Sequence, residues 1–146
     1  MGEKVEVSQV RRQLQAAIAS SRQRAQLQRQ RAADAEKAYA VFLQEVATPV
    51  TRQLANALKA EGHAFTVGTP GDGLRLAADR GRDDFIEFAL DTSSTPAQVI
   101  GRISHSRGSR TIDQERPVKP GASPEALTEQ DVLDFLLSAL EPWFER

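Results

Sequence analysis

The chain has 146 residues, of which 40% are hydrophobic and 27% charged, with a formal net charge of −1; this is the composition expected of one soluble globular domain rather than of a disordered or membrane protein. Zero cysteines exclude disulfides, thiolate zinc sites and Cys nucleophiles, and make a cytoplasmic location the expectation. The near-neutral total conceals an asymmetry: residues 8 to 33 carry six Arg and no acid, a net +6, whereas residues 121 to 146 carry six acids against Arg146, a net −5, so the two ends are able to steer onto each other or onto a second copy.

The first residues show no basic segment followed by an apolar core, so a secretory leader is not expected. Met1-Gly2-Glu3-Lys4-Val5-Glu6 has Glu6 where a myristoylation site needs Ser or Thr. From Ser8, a candidate N-cap, to Ala47 there is no Gly or Pro, and Ala, Gln, Arg, Glu and Leu dominate, which predicts a continuous helix. Leu14, Ile18, Ser21, Ala25, Gln28, Ala32, Ala35, Tyr39, Phe42 and Val46 follow a coiled-coil 4-3 spacing. Between Ser21 and Ala35 that seam offers only Ser, Ala and Gln, which permits close approach of a second backbone but buries little area. Arg22 and Arg29 occupy e positions and Arg24 and Arg31 g positions. A parallel in-register pair sets Arg24 against Arg29 although Arg31 meets Glu36, and a centred antiparallel pair sets Arg against Arg; a staggered antiparallel pair bringing Arg22 to Arg31 against Glu36 and Glu45 works, as does docking on an acidic partner, with the chain's own acidic C-terminal helix in a neighbouring copy the nearest candidate.

Such a helix is about 60 Å long against a body roughly 30 Å across, so its basic half is expected to overhang. Thr48-Pro49 predicts a kink or a restart there, with Thr48 as the new N-cap. Val50, Leu54, Ala57 and Leu58 continue an apolar stripe to Gly62, a candidate C-cap.

Beyond Gly62 the period becomes two. Residues 64–67, 74–78, 85–90, 98–104 and 110–114 read as five strands separated by turn residues such as Thr69-Pro-Gly-Asp-Gly73 and Arg80-Gly-Arg-Asp83, which predicts an antiparallel meander. Phe65, Val67, Leu74, Leu76, Ile86, Phe88, Leu90, Val99, Ile103 and Ile112 form the face expected to be buried. Thr66, Arg75, Glu87, Arg102, Ser104, Thr111 and Asp113 form the opposite, polar one. A Pro-rich loop precedes Thr128-Glu-Gln-Asp131, a variant capping box. It opens a helix whose apolar residues cover an arc of roughly 200°, about twice what one contact face needs.

The predicted class is α+β: a long N-terminal helix kinked or broken near Thr48-Pro49, a five-stranded antiparallel meander, and a C-terminal amphipathic helix packed on one sheet face. Residues 1–146 read as a single domain with a basic coiled-coil-like arm over 8–37, a core helix over 38–62, the sheet over 63–118, the Pro-rich loop over 119–128 and the last helix over 129–145.

Candidate sites are few. His63 follows the presumed C-cap, where the helix dipole favours a cation, and His105 shares strand parity with Val99 and Ile103; neither accompanies a catalytic motif. Asp83, Asp84, Glu87 and Asp91 invite a metal reading, but strand parity turns Asp84 away from the rest and Glu87 has Arg75 or Arg102 as a cross-strand partner. Gly71-Asp-Gly73 lacks the Lys-Ser/Thr of a phosphate loop and precedes a strand. No catalytic residue, metal site or cofactor is expected. The residues singled out are Arg22, Arg24, Arg29 and Arg31. They point to a non-enzymatic interaction or assembly subunit that self-associates or docks an acidic protein. The alternatives are a nucleic-acid-associated protein using the same arginines and a small-ligand binder or enzyme on the polar sheet face. A membrane partner is not expected, because no apolar run approaches bilayer length.

Overall fold

The computed structural model describes residues 4–81 and 83–145. Met1-Gly2-Glu3 of the candidate lipidation signal, Arg82 of the second turn and Arg146 of the acidic end lie outside the described residues. Two compact units divide the chain, Met1–Asp34 and Ala35–Arg146.

The first unit is helical throughout from Val7, as part of helix α1 (Val7–Phe42). Its 36 residues correspond to about 54 Å of helix. The helix starts one residue before the expected cap: Val10 N–H donates to the Glu6 carbonyl at 3.0 Å, which places Ser8 inside the first turn. Every residue from 4 to 31 is exposed, so local propensity rather than a core selects the helix here.

In the second unit, α1 passes through a π-helical turn, Leu43–Ala47, into α2 (Thr48–Ala60). Thr48 N–H bonds to the Leu43 carbonyl, five residues back. The interruption expected at Thr48-Pro49 therefore precedes it and takes this form instead of a restart capped by Thr48, whose backbone is helical. The reason is steric: Pro49 has no N–H, and in an unbroken α-helix its ring meets the carbonyl four residues earlier. One wider turn relieves both demands without ending the helix. α2 then closes at Gly62, whose φ of 88° is open to glycine, with His63 N–H bonding the Leu58 carbonyl at 2.8 Å.

The sheet follows as β1 (Phe65–Gly68), β2 (Leu74–Ala78), β3 (Phe85–Asp91), β4 (Gln98–Arg107) and β5 (Arg110–Pro117). It is an antiparallel meander in sequential order, as two-residue periodicity with short turns requires. A 3₁₀ turn (Pro124–Ala126) leads to α3 (Glu129–Phe144), which packs with α2 over one face. Leu74, Leu76, Ile86, Phe88, Val99 and Ile103 supply the sheet side of that core. Leu54, Leu58, Val132, Phe135, Leu136 and Leu140 supply the helix side. Each such fully buried Leu, Ile or Phe contributes roughly 1.5–3 kcal/mol.

Three parity assignments differ from the structure. Leu90 and Ile112, expected inside, are only half-buried, Ile112 on the edge strand β5, and Ser104, expected outside, is 4% exposed. Ser104 is paired with Phe85 in the register, so its small side chain lies beside a much larger one.

Phe135 seats α3 on the sheet. Its ring occupies the space that a Cβ on Gly101 needs, so only glycine lets the helix approach this closely. Gly101→Ala should therefore destabilise the protein by about 1–3 kcal/mol through overpacking, read as a lower urea midpoint with unchanged slope. The N-terminus of α3 carries the reciprocal cap: Asp131 N–H donates to Thr128 Oγ1 at 3.1 Å and Thr128 N–H to Asp131 Oδ2 at 2.9 Å. The Thr128 backbone N–H holds the Asp131 carboxyl below its ordinary range, with the Thr128 hydroxyl and Lys119 adding to it against the opposing effect of burial. A depressed folded pKa gives stability that is full above the unfolded value of about 3.9 and is lost as pH falls through the folded one. Thr128→Ala should cost about 1 kcal/mol at neutral pH and reduce this acid-side loss only in part, because the backbone N–H that chiefly causes it remains, both measurable by chemical denaturation across that window.

Candidate functional site

The four arginines singled out by the sequence all lie on the exposed part of α1 within the first unit. At 3.6 residues per turn, Arg22 and Arg29 line one side of the small-residue seam and Arg24 and Arg31 the other. Among the described residues none of them forms an ion pair. Arg24 donates to Ser21 Oγ at 3.3 Å, and the nearest acid, Asp34, accepts from Gln30 instead at 3.1 Å. Four fully charged guanidinium groups are thus presented to solvent along about 14 Å of helix.

N-terminal to them lies an element that the heptad reading caught only in part. Val7, Val10, Leu14 and Ile18 are all exposed, Val7 by 83%, at spacings of three and four residues that align them in one stripe. Leu14 and Ile18 belonged to the seam; Val7 continues it by the same periodicity, whereas Val10 lies one position before Arg11, which the periodicity selects. Isolated exposed valines or leucines need no explanation, but an aligned and flanked row on a helix is the pattern of a contact face.

The histidines have structural surroundings. His63 lies edge-on to Phe144 at 5.5 Å and His105 to Trp143 at 5.8 Å. His105 is 8% exposed, and among the described residues no hydrogen bond joins it to Ser104, Ser106 or Glu115. The residue whose role sequence reasoning missed is Asp84. It is 2% exposed, and its carboxylate accepts from Ser106 N–H at 2.7 Å and from the Trp143 indole N–H at 3.1 Å. Its carbonyl also accepts from Ala78 N–H at 2.8 Å. Asp84 thereby ties the β2–β3 turn to β4 and to the last turn of α3, a linkage across 59 positions that no local pattern announces.

The other acids of that group are dispersed. Asp83 is exposed, Glu87 pairs with Arg75 at 3.0 Å, and Asp91 accepts from the Ser93 hydroxyl and N–H at 2.6 and 2.9 Å. These bonds, the hydroxyl's first, hold the Asp91 carboxyl below its ordinary range. Among the described residues no group of three or more His, Asp or Glu is placed to hold a metal. Gly71-Asp-Gly73 is a hairpin turn, with Gly71 at φ 58° and Gly73 N–H bonded to the Pro70 carbonyl at 3.0 Å.

On the polar face, Arg75, Glu87, Arg102 and Glu115 form one cross-strand row of alternating charge. It closes into ion pairs at 3.0 Å (Arg75–Glu87) and 2.7 Å (Arg102–Glu115), and the Arg75 guanidinium lies 4.3 Å over the Phe85 ring. Such a row satisfies itself and leaves little uncompensated charge for a ligand. Burial, then the Glu87 carboxylate, push the Tyr39 hydroxyl up to about 12 against the pull of Arg102, which keeps it protonated and unsuited to act as a base near neutrality.

Two clefts border α3. One of about 190 Å³ is lined by His105, Gln114, Arg116, Ser138, Glu141 and Glu145 among others, with Arg116 bonded to Ser138 at 3.0 Å. The other, about 300 Å³, is a groove between α2 and α3 lined by Val50, Gln53, Leu54, Ala57, Glu129, Gln130 and Leu133. Among the described residues no helix is long and apolar enough to cross a membrane. No protein-family model matches the chain, and no match is found among curated proteins or solved structures.

Asp84→Ala should deprive the Trp143 and Ser106 donors of this acceptor and lower stability by about 2–4 kcal/mol. The protein's one tryptophan reports it directly, as altered native-state fluorescence together with a lower denaturation midpoint.

Proposed function

We propose that this protein is a non-enzymatic assembly subunit that associates with its own kind, or with another protein of acidic surface, through the basic helical arm carrying Arg22, Arg24, Arg29 and Arg31. One observation carries the reading: a single helix presents an aligned apolar stripe and four arginines to solvent, and the described residues contain no acid paired with any of them. An isolated helix of this composition gains little from its own contacts, and a partner supplies what it lacks. Apolar contact gives the association its strength, while the guanidinium groups choose the partner and its register, since each exposed ion pair contributes at most about 1 kcal/mol. The structural settings of His63 and His105, the protonated Tyr39 and the self-compensated polar sheet face support a binding role over catalysis.

Clustered arginines on one helix also suit phosphates, so nucleic acid is the second reading. The arm has no aromatic residue between Ser8 and Ala33 to stack on a base, which favours a protein partner.

Sedimentation at several protein concentrations tests the first reading. The weight-average mass should rise with concentration, and it should fall again when Arg22, Arg24, Arg29 and Arg31 are replaced together by Gln without loss of helical circular dichroism. Binding of mixed-sequence DNA or RNA at low salt, with steep loss as salt is raised, and no self-association would favour the second reading.

A further inference from the structure

We infer that the seat of this arm is the groove between α2 and α3 of a second copy of the chain, so that two copies exchange arms reciprocally. The inference rests on the assembly reading above and names its partner surface.

The groove has a defined course. It joins Val50, Leu54 and Ala57 along α2 to Glu129 and Leu133 at the start of α3, and just beyond the end of α2 His63 lies edge-on to Phe144 at the end of α3. On α3, Leu133, Leu137 and Phe144 fall within about 40° of one another on the helical wheel. Leu137 and Phe144 are exposed by 43% and 44%, although α3 already buries its opposite side against the sheet. This is the surplus of a helix with too wide an apolar arc for one contact face.

The arm matches this surface in length and in charge. From Val7 to Ile18 and from Leu133 to Phe144 the separation is eleven residues in each case, about 16 Å of helix. The α3 stripe is rimmed by Glu129 on one side and by Asp134, Glu141 and Glu145 on the other, all exposed and none in an ion pair among the described residues. The arm stripe is edged by Arg11 and continues into Arg22 and Arg24. A helix with an apolar row and basic flanks laid along an apolar groove with acidic rims is the helix-in-groove mode of recognition. Reciprocal exchange uses the same two surfaces on each copy and closes as a two-fold dimer.

The test is a charge exchange in the full-length chain. One variant reverses the arginines beside the matched stripe (Arg11→Glu, Arg22→Glu, Arg24→Glu) and the other reverses the rim (Asp134→Lys, Glu141→Lys, Glu145→Lys), with circular dichroism confirming that both fold. Each alone should self-associate at least tenfold more weakly than the unaltered chain, and a 1:1 mixture of the two should restore a dimer, because both interfaces are then complementary. Leu137→Ala, at a position exposed in one copy, should weaken association about tenfold with no change in the melting temperature of the monomer. If the rim variant and Leu137→Ala associate as the unaltered chain does while the arm variant fails to, the arm binds elsewhere and the groove assignment is overturned with the assembly reading intact. A chain that stays monomeric at every concentration overturns self-association and the groove together.

Discussion

An antiparallel meander places alternate side chains on one face, and that face has to leave water; in this protein Gly101 decides how it does so. The ring of Phe135 drops into the space above the glycine, which brings α3 down until Phe135 also meets Phe88, with ring centroids 6.0 Å apart. With α3 at that height, Leu136 and Leu140 close the layer against the sheet and α2 fills the remainder. At the far end the same helix is held by Trp143, which donates to Asp84 and meets Phe65 edge-on at 5.8 Å. The helix is thus located by one close apolar contact and one buried polar one. The first supplies area removed from water, and the second supplies direction, because a carboxylate buried at this depth is tolerable only where its donors are in place.

The helical part of the chain solves a different problem. A proline belongs at position 49 only if the turn before it widens, and the π-helical Leu43–Ala47 lets one helix pass into the next without a loop. Five consecutive residues then include two that face the core, Leu43 and Ala47, so the irregular turn is itself packed. On the N-terminal side the composition changes from Tyr39 and Phe42 to Ser, Ala, Gln and Arg, and burial ceases. Core-forming and surface-presenting residues are therefore distinguished in sequence by side-chain size. This separation makes the basic segment the natural candidate for interaction: its residues are not needed to bury the sheet.

Much of this was legible beforehand for physical reasons that operate locally. Strand parity identified Leu74, Leu76, Ile86, Phe88, Val99 and Ile103 as the inner row, and turn residues set the register in which Glu87 meets Arg75. The Thr128 and Asp131 cap was readable from a four-residue spacing. Where reading failed, a non-local neighbour was responsible. Ser104 is buried where it pairs with Phe85 across the register, and Leu90 and Ile112 are left partly open, Ile112 on the edge strand β5. Asp84 looked like one acid among four, and its neighbours in sequence give no sign that its partners come from β4 and the end of α3.

The α+β class, the order and approximate limits of the helices and strands, the sidedness of the sheet, and the basic, core-poor character of the arm bearing Arg22, Arg24, Arg29 and Arg31 follow from the amino-acid sequence. Periodicity, turn chemistry and charge are properties of neighbouring residues and need no fold to express them. The form of the break before Pro49, the burial of Asp84 against Trp143, the seating of Phe135 on Gly101 and the groove between α2 and α3 come instead from the tertiary fold. Each of these depends on which distant side chains are brought within van der Waals or hydrogen-bond reach, and that is set by packing.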